Sequence, residues 1–165
     1  MMTLAEINIM TLPEFLLGFG DVAEHSPWVA REAASYRPFA DRHGMIVAFE
    51  RALRAANRAA QLALVRAHPD LATKARLTDD STKEQAGAGL AALTAAEFER
   101  FTALNEAYKA KFAFPFIFAV KGATRQMVLA AFEDRVGHAP DKEFATAVAQ
   151  ICRIFRFRIE DRVAP

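Results

Sequence analysis

Cysteine occurs once in the 165 residues, as Cys152, so the chain can form no internal disulfide and has no second thiol for a CxxC or cysteine-rich metal site. A reducing interior suits such usage, and the cytoplasm is the expected compartment. An excess of charge is also missing: 21 Lys and Arg stand against 20 Asp and Glu, a formal net charge of +1. That balance removes the main physical reason to expect nucleic acid or an anionic membrane as partner, while leaving room for a small anionic substrate, which needs only one or two placed cations. No apolar run reaches membrane-spanning length. Residues 1–10 carry Glu6 and no basic residue, so no signal or transit peptide is expected. The four histidines, His25, His43, His68 and His138, lie too far apart for a zinc signature such as HExxH, so no metal site is expected. Internal repeats, low-complexity tracts and linkers are lacking too, which predicts one domain over 1–165.

What is present is an ordinary globular composition, 53% hydrophobic and 25% charged. Apolar residues recur at helical spacing almost throughout and alternating strand patterns are scarce, which predicts an all-α bundle of about seven to nine helices. Local punctuation places them. Ser26-Pro27 reads as an N-cap with proline in the first helical turn, opening a helix that Pro38 closes. Asp41 opens a long helix with a break near Asn57, and Leu62 to Val65 then leads to His68-Pro69. Ser81-x-x-Glu84 and Thr94-x-x-Glu97 have the form of capping boxes, Thr124 caps a further helix to Val136, and Asp141 opens the last, to about Asp161. Phe112 to Val120, interrupted by Pro115, is either a buried connector or a short helix.

Few residues stand out as carriers of chemistry. His68 ends a hydrophobic helix and precedes Pro69-Asp70, a rigid turn that could fix an imidazole and present it to a pocket; a purely structural helix-end residue fits the same pattern. Ser81 and Glu84 are open to a capping reading, but capping does not account for Gly87 and Gly89 just beyond, which suggest close approach of a ligand or of neighbouring backbone. On the last helix Phe144, Ala147, Val148, Ile151, Ile154 and Phe155 form one apolar face, and Arg158 falls within it. A guanidinium there cannot deprotonate and needs an anion, either an internal carboxylate or a substrate carboxylate. The aromatic run Phe112, Phe114, Phe116 reads as core that could also wall a small-molecule pocket.

In order along the chain, His68-Pro69-Asp70-Leu71-Ala72, Ser81-x-x-Glu84-Gln85 leading to Ala88-Gly89-Leu90, Lys111-Phe112-Ala113-Phe114-Pro115-Phe116-Ile117 and Ala119-Val120-Lys121-Gly122 resemble the 2-oxo-4-hydroxy-4-carboxy-5-ureidoimidazoline (OHCU) decarboxylases. The similarity runs from Glu24-His25-Ser26-Pro27-Trp28-Val29-Ala30 to the final helix. The resemblance implies an all-helical, frequently dimeric enzyme without a cofactor, which converts the ureidoimidazoline of urate oxidation into (S)-allantoin and carbon dioxide. It implies His68 as acid/base, Glu84 as partner of ring or ureido N–H groups, and Arg158 as holder of an anionic or carbonyl oxygen, with Arg156 as alternate. Pro69, Ser81 and Gln85 would contact substrate, and Phe116, Ile117, Phe118, Ala119 and Val120 would line the pocket. Thr73 and Ala113 stand where glycine is usual in the family, and Ala123 where a basic residue is common. The competing readings are a non-catalytic helical binding protein on the same fold and a metal-dependent hydrolase using scattered His and Asp.

Overall fold

The computed structural model describes residues 1–71 and 79–165, the side chains of 79–82 excepted; Thr73 and Ala72 of the expected motif lie outside the described residues. The described chain is helical, with one isolated parallel bridge between Met2 and Val163 and no strand among the described residues. It divides into two compact units, residues 1–67 with 151–165, and residues 68–150.

The first unit holds α1 (Leu4–Ile9), α2 (Leu12–Phe19), α3 (Trp28–Ala34), α4 (Arg42–Ala55), α5 (Arg58–Ala67) and the C-terminal part of α9 (Pro140–Arg162). Capping boxes start α1 (Thr3 with Glu6) and α2 (Thr11 with Glu14), each satisfying two otherwise orphaned N–H groups. The Asp41 carboxylate accepts from Gly44 N–H at 2.6 Å and starts α4, and Asn57 accepts from Ala60 N–H at 2.8 Å where the chain breaks into α5. The expected cap at Ser26 is not used: its hydroxyl donates to the carbonyl of Glu24 at 2.9 Å, and no side chain caps α3. A core of Ile7, Phe15, Phe19, Val29, Met45, Phe49, Leu53 and Phe155 fills this unit, with Phe15 and Phe19 rings 5.1 Å apart.

The second unit holds α6 (Asp79–Gly87), a 3-10 turn (Leu90–Ala92), α7 (Ala95–Phe112), α8 (Arg125–Arg135) and the N-terminal part of α9. Thr94 and Glu97 form the expected box on α7, and the Thr124 hydroxyl accepts from Met127 N–H at 3.2 Å to start α8. Two starts differ from expectation. Ser81 lies within α6, whose described residues run from Asp79, rather than at its cap, and α9 begins at Pro140, which puts Asp141 one residue inside. For α9, proline suits the first helical position, and acidic side chains favour the first turn as well as the cap. Phe112 ends α7, and residues 113–120 form a non-helical connector. Pro115 brings no N–H and disfavours helix at Phe114. Tyr108, Phe112, Phe114, Phe116 and Phe132 cluster in this core, the Phe116 and Phe132 rings stacked at 3.9 Å.

Candidate active site

His68, Pro69, Ser81, Glu84, Gln85 and residues 116–120 all fall in the second unit, whereas Arg158 belongs to the first. His68 is the residue immediately after α5, as its proline neighbour predicts, and it is only 7% exposed. Its Nε2 is shielded from bulk solvent. An enclosed imidazole is held to few orientations, which suits a group that must exchange protons with a fixed partner. Pro69 and Asp70 are half-buried and Leu71 is buried.

Glu84 and Gln85 sit on consecutive positions of α6, Glu84 half-buried and Gln85 buried. Ser81 lies on the same helix, one turn before Gln85. The two glycines have a local explanation. Gly87 is the last residue of α6 and Gly89 adopts φ +80°, a left-handed conformation that glycine reaches without penalty. A Cβ at Gly89 would meet Arg125 Cδ at an ordinary 3.8 Å, so backbone conformation rather than space selects it.

The connector that carries Phe116, Ile117, Phe118, Ala119 and Val120 is buried except for half-exposed Phe118. Its backbone is pinned by side chains that sequence reading did not single out. The carbonyl of Ile117 accepts from Arg135 Nη1 at 2.7 Å, and the same guanidinium lies 4.3 Å over the Phe116 ring. The N–H of Ala119 donates to Gln150 Oε1 at 2.9 Å. Arg135 in turn donates through Nε to Glu143 Oε1 at 2.8 Å, where the Tyr108 hydroxyl also donates at 2.6 Å. Glu143 has no exposure and also meets His138 Nδ1, at 3.0 Å from Oε2. Burial, reinforced by Glu143, holds the Tyr108 hydroxyl far above the ordinary phenol range. A signal for Arg135 was present: with Val128 and Phe132 it shares a helical stripe, the pattern that drew attention to Arg158.

In the first unit the stripe on α9 is buried as expected, Arg158 included at 2% exposure. Of the two anions its position called for, the internal one is present. Arg158 Nη1 donates to Glu24 Oε2 at 3.0 Å, and Glu24 has no exposure. The same nitrogen reaches the carbonyl of Val22 at 3.3 Å. Arg156 instead pairs with Glu160 at 3.3 Å on the surface, so Arg158 is the core-facing arginine of the two. A surface cavity of about 360 Å³ in this unit is lined by Asp41, Arg42, His43, Ile46, Arg156 and Glu160 and holds none of the three expected catalytic groups.

His25 and His43 are exposed. Burial pushes the Cys152 thiol up to about 11, which suits an inert core residue rather than a nucleophile. Among the described residues no group of three or more His, Cys, Asp or Glu could hold a metal ion, and no helix is long and apolar enough to cross a membrane.

Comparison with known proteins converges on one family. The OHCU decarboxylase family matches residues 8–160. A protein of Haloferax volcanii named 2-oxo-4-hydroxy-4-carboxy-5-ureidoimidazoline decarboxylase is 42% identical over 98% of this chain and 96% of its own length. The uric acid degradation bifunctional protein of Bacillus subtilis is 40% identical over 98% of this chain, which spans 33% of that protein. Among solved structures, an (S)-allantoin synthase shares the fold at a TM-score of 0.79 and 30% identity, over 98% of this chain and 54% of that one. A crystal structure of OHCU decarboxylase in the presence of (S)-allantoin shares the fold at 0.71 and 23% identity, over 85% of this chain and 93% of the other. The all-helical architecture, the motif set from His68 to Gly122 and a match across nearly the whole length place this chain in the OHCU decarboxylase family.

Proposed function

We propose that the protein is a cofactor-free carboxy-lyase that converts OHCU into (S)-allantoin and carbon dioxide in urate breakdown, working as one functional domain, as a homodimer, in the cytoplasm. The observation that carries this reading is the family match over residues 8–160. The buried His68 on its proline turn supports it.

The substrate's own bonding explains why no cofactor is needed. Its carboxylate sits on a carbon that also bears a hydroxyl and adjoins a ring C=N bond. As the C–C bond to the carboxylate breaks, carbon dioxide leaves and the electron pair forms a C=C bond, while the C=N π pair moves onto nitrogen, which takes a proton. The hydroxyl then gives up its proton as the ring carbonyl forms, and the carbon bearing the ureido group receives one on a single face. The protein's tasks are orientation, stabilisation of charge and face-selective proton transfer. In this reading His68 moves the proton, Glu84 binds ring or ureido N–H groups, and Pro69, Ser81, Gln85 and residues 116–120 line the pocket. Arg158, oriented by Glu24, holds an anionic or carbonyl oxygen of the substrate.

The test uses freshly made urate oxidation product and circular dichroism of the growing allantoin. The wild-type protein is expected to accelerate formation of the (S) enantiomer over the spontaneous reaction. His68→Ala is expected to fold with an unchanged helical spectrum and to lose at least about 100-fold of the acceleration, the low end of what a positioned acid/base supplies. Absence of acceleration by the wild type, with allantoin bound but not formed, would favour the non-catalytic binding protein; full activity in His68→Ala would remove that residue from the mechanism.

A further inference from the structure

The turn that carries His68 is held from one side by a single helix. Lys109 Nζ donates to Asp70 Oδ2 at 2.8 Å, and Asn105 Nδ2 donates to the carbonyl of Leu71 at 3.0 Å. Asn105 and Lys109 are four residues apart on α7 and so project one above the other from one face. The adjoining stripe of that helix, Phe101, Leu104, Tyr108 and Phe112, is buried, and its first turn is closed by the Thr94–Glu97 capping box. Position on α7 is therefore passed to residues 70 and 71 at two points. Pro69 joins them rigidly to His68, because its ring fixes its own φ and restricts the residue before it.

Asn105 has a feature that simple packing does not explain. Its Oδ1 is shielded from solvent and accepts no hydrogen bond from any described residue. A buried amide costs more to desolvate than an apolar side chain of the same shape, so packing alone does not select it. Its use is the donor it supplies, aimed at the backbone of the His68 turn.

We infer that Asn105 and Lys109 are positioning residues that hold the His68-Pro69-Asp70-Leu71 turn in the geometry proton transfer requires. The inference rests on the assignment of His68 as acid/base. Neither side chain is a catalytic residue; both act through the turn, so their loss falls on kcat rather than on KM.

Steady-state kinetics of Asn105→Ala, Lys109→Met and Lys109→Arg, with His68→Ala as reference, separates these ideas. Asn105→Ala is expected to lower kcat roughly 10-fold and Lys109→Met roughly 3-fold, with KM within about 2-fold, since small misplacements of a reacting group cost this much or more. Lys109→Arg keeps the ion pair with Asp70 and is expected to restore most of the rate. In the ligand-free protein the His68 Cε1–H resonance is expected to move in Asn105→Ala and to stay in place in Lys109→Arg. Should Asn105→Ala fold poorly, Asn105→Asp keeps the shape and removes the donor, and the same loss of kcat is expected. If both disruptive variants keep wild-type kcat and an unmoved resonance while His68→Ala is inactive, the positioning inference is wrong and the assignment of His68 stands. If His68→Ala is fully active, the assignment fails first, and the resonance still reports whether α7 holds the turn. A loss confined to KM would also overturn the inference.

Discussion

At Ala113 the backbone leaves α7 in a left-handed conformation, φ 60° and ψ 25°, with its N–H donating to the carbonyl of Lys109. That is the position where helices most often place glycine, because a Cβ there crowds the following carbonyl at a cost of about 1–2 kcal/mol. Glycine recovers this strain and gives back part of it through the greater freedom of its unfolded chain. Ala113→Gly is therefore expected to stabilise the protein by about 0.5–1 kcal/mol, read as a higher urea midpoint at unchanged slope. A loss of stability would mean that the alanine methyl makes compensating contacts. The sequence already marked Ala113 as a departure from the family's glycine; only the φ angle says what the departure costs. At Arg158, likewise, sequence spacing placed the guanidinium on the core stripe, but its partner Glu24 lies 134 residues away and no local pattern could select it.

Among the elements, the connector from Phe112 to Val120 owes its shape to a polar knot rather than to secondary structure. Arg135, from α8, and Tyr108, from α7, both donate to Glu143 Oε1 near the start of α9, and Arg135 also holds the Ile117 carbonyl. Removing the charge partner leaves a carboxylate buried, so Arg135→Met is expected to cost about 3–5 kcal/mol. Tyr108→Phe leaves Glu143 paired with Arg135 and is expected to cost about 1 kcal/mol. The phenol's raised folded-state value fixes the pH dependence. Its contribution is intact below the ordinary phenol value of 10.0 and is lost as the pH climbs above it, since only the unfolded chain then ionises readily. The gap between wild type and Tyr108→Phe in urea unfolding should thus be constant from pH 6 to 9 and shrink above about pH 10; a gap that widens there would reverse the sign of this argument. Elements of this kind explain which parts of the fold could be read in advance. Helix starts at Asp41, Thr94 and Thr124 were legible because a cap is a bond between residues three apart. Ser81 and Asp141 misled because polar and acidic side chains suit the inside of a helix start as well as its cap. The Tyr108–Arg135–Glu143 knot stayed hidden because it joins three helices.

For the molecule as a whole, charge is the property that decides how substrate arrives. The proposed substrate is an anion, yet the chain carries a net charge of only +1, and the buried cation Arg158 is matched at 3.0 Å by Glu24. A paired guanidinium still offers directed hydrogen bonds at short range, but its field at a distance is largely cancelled by its partner. Enzymes that draw charged substrates by long-range steering do so through a strong field of one sign, and they lose 10-fold or more of their association rate as salt shortens the Debye length from about 30 Å at 0.01 M to about 8 Å at 0.15 M. This protein has no such excess to screen. Its kcat/KM for the ureidoimidazoline is accordingly expected to change by less than about 2-fold between 10 and 150 mM salt, measured at constant pH by the circular dichroism assay. A fall of 10-fold or more over that range would require a concentrated positive field around the site, and so a substrate route lined by cations that the overall balance of charge conceals.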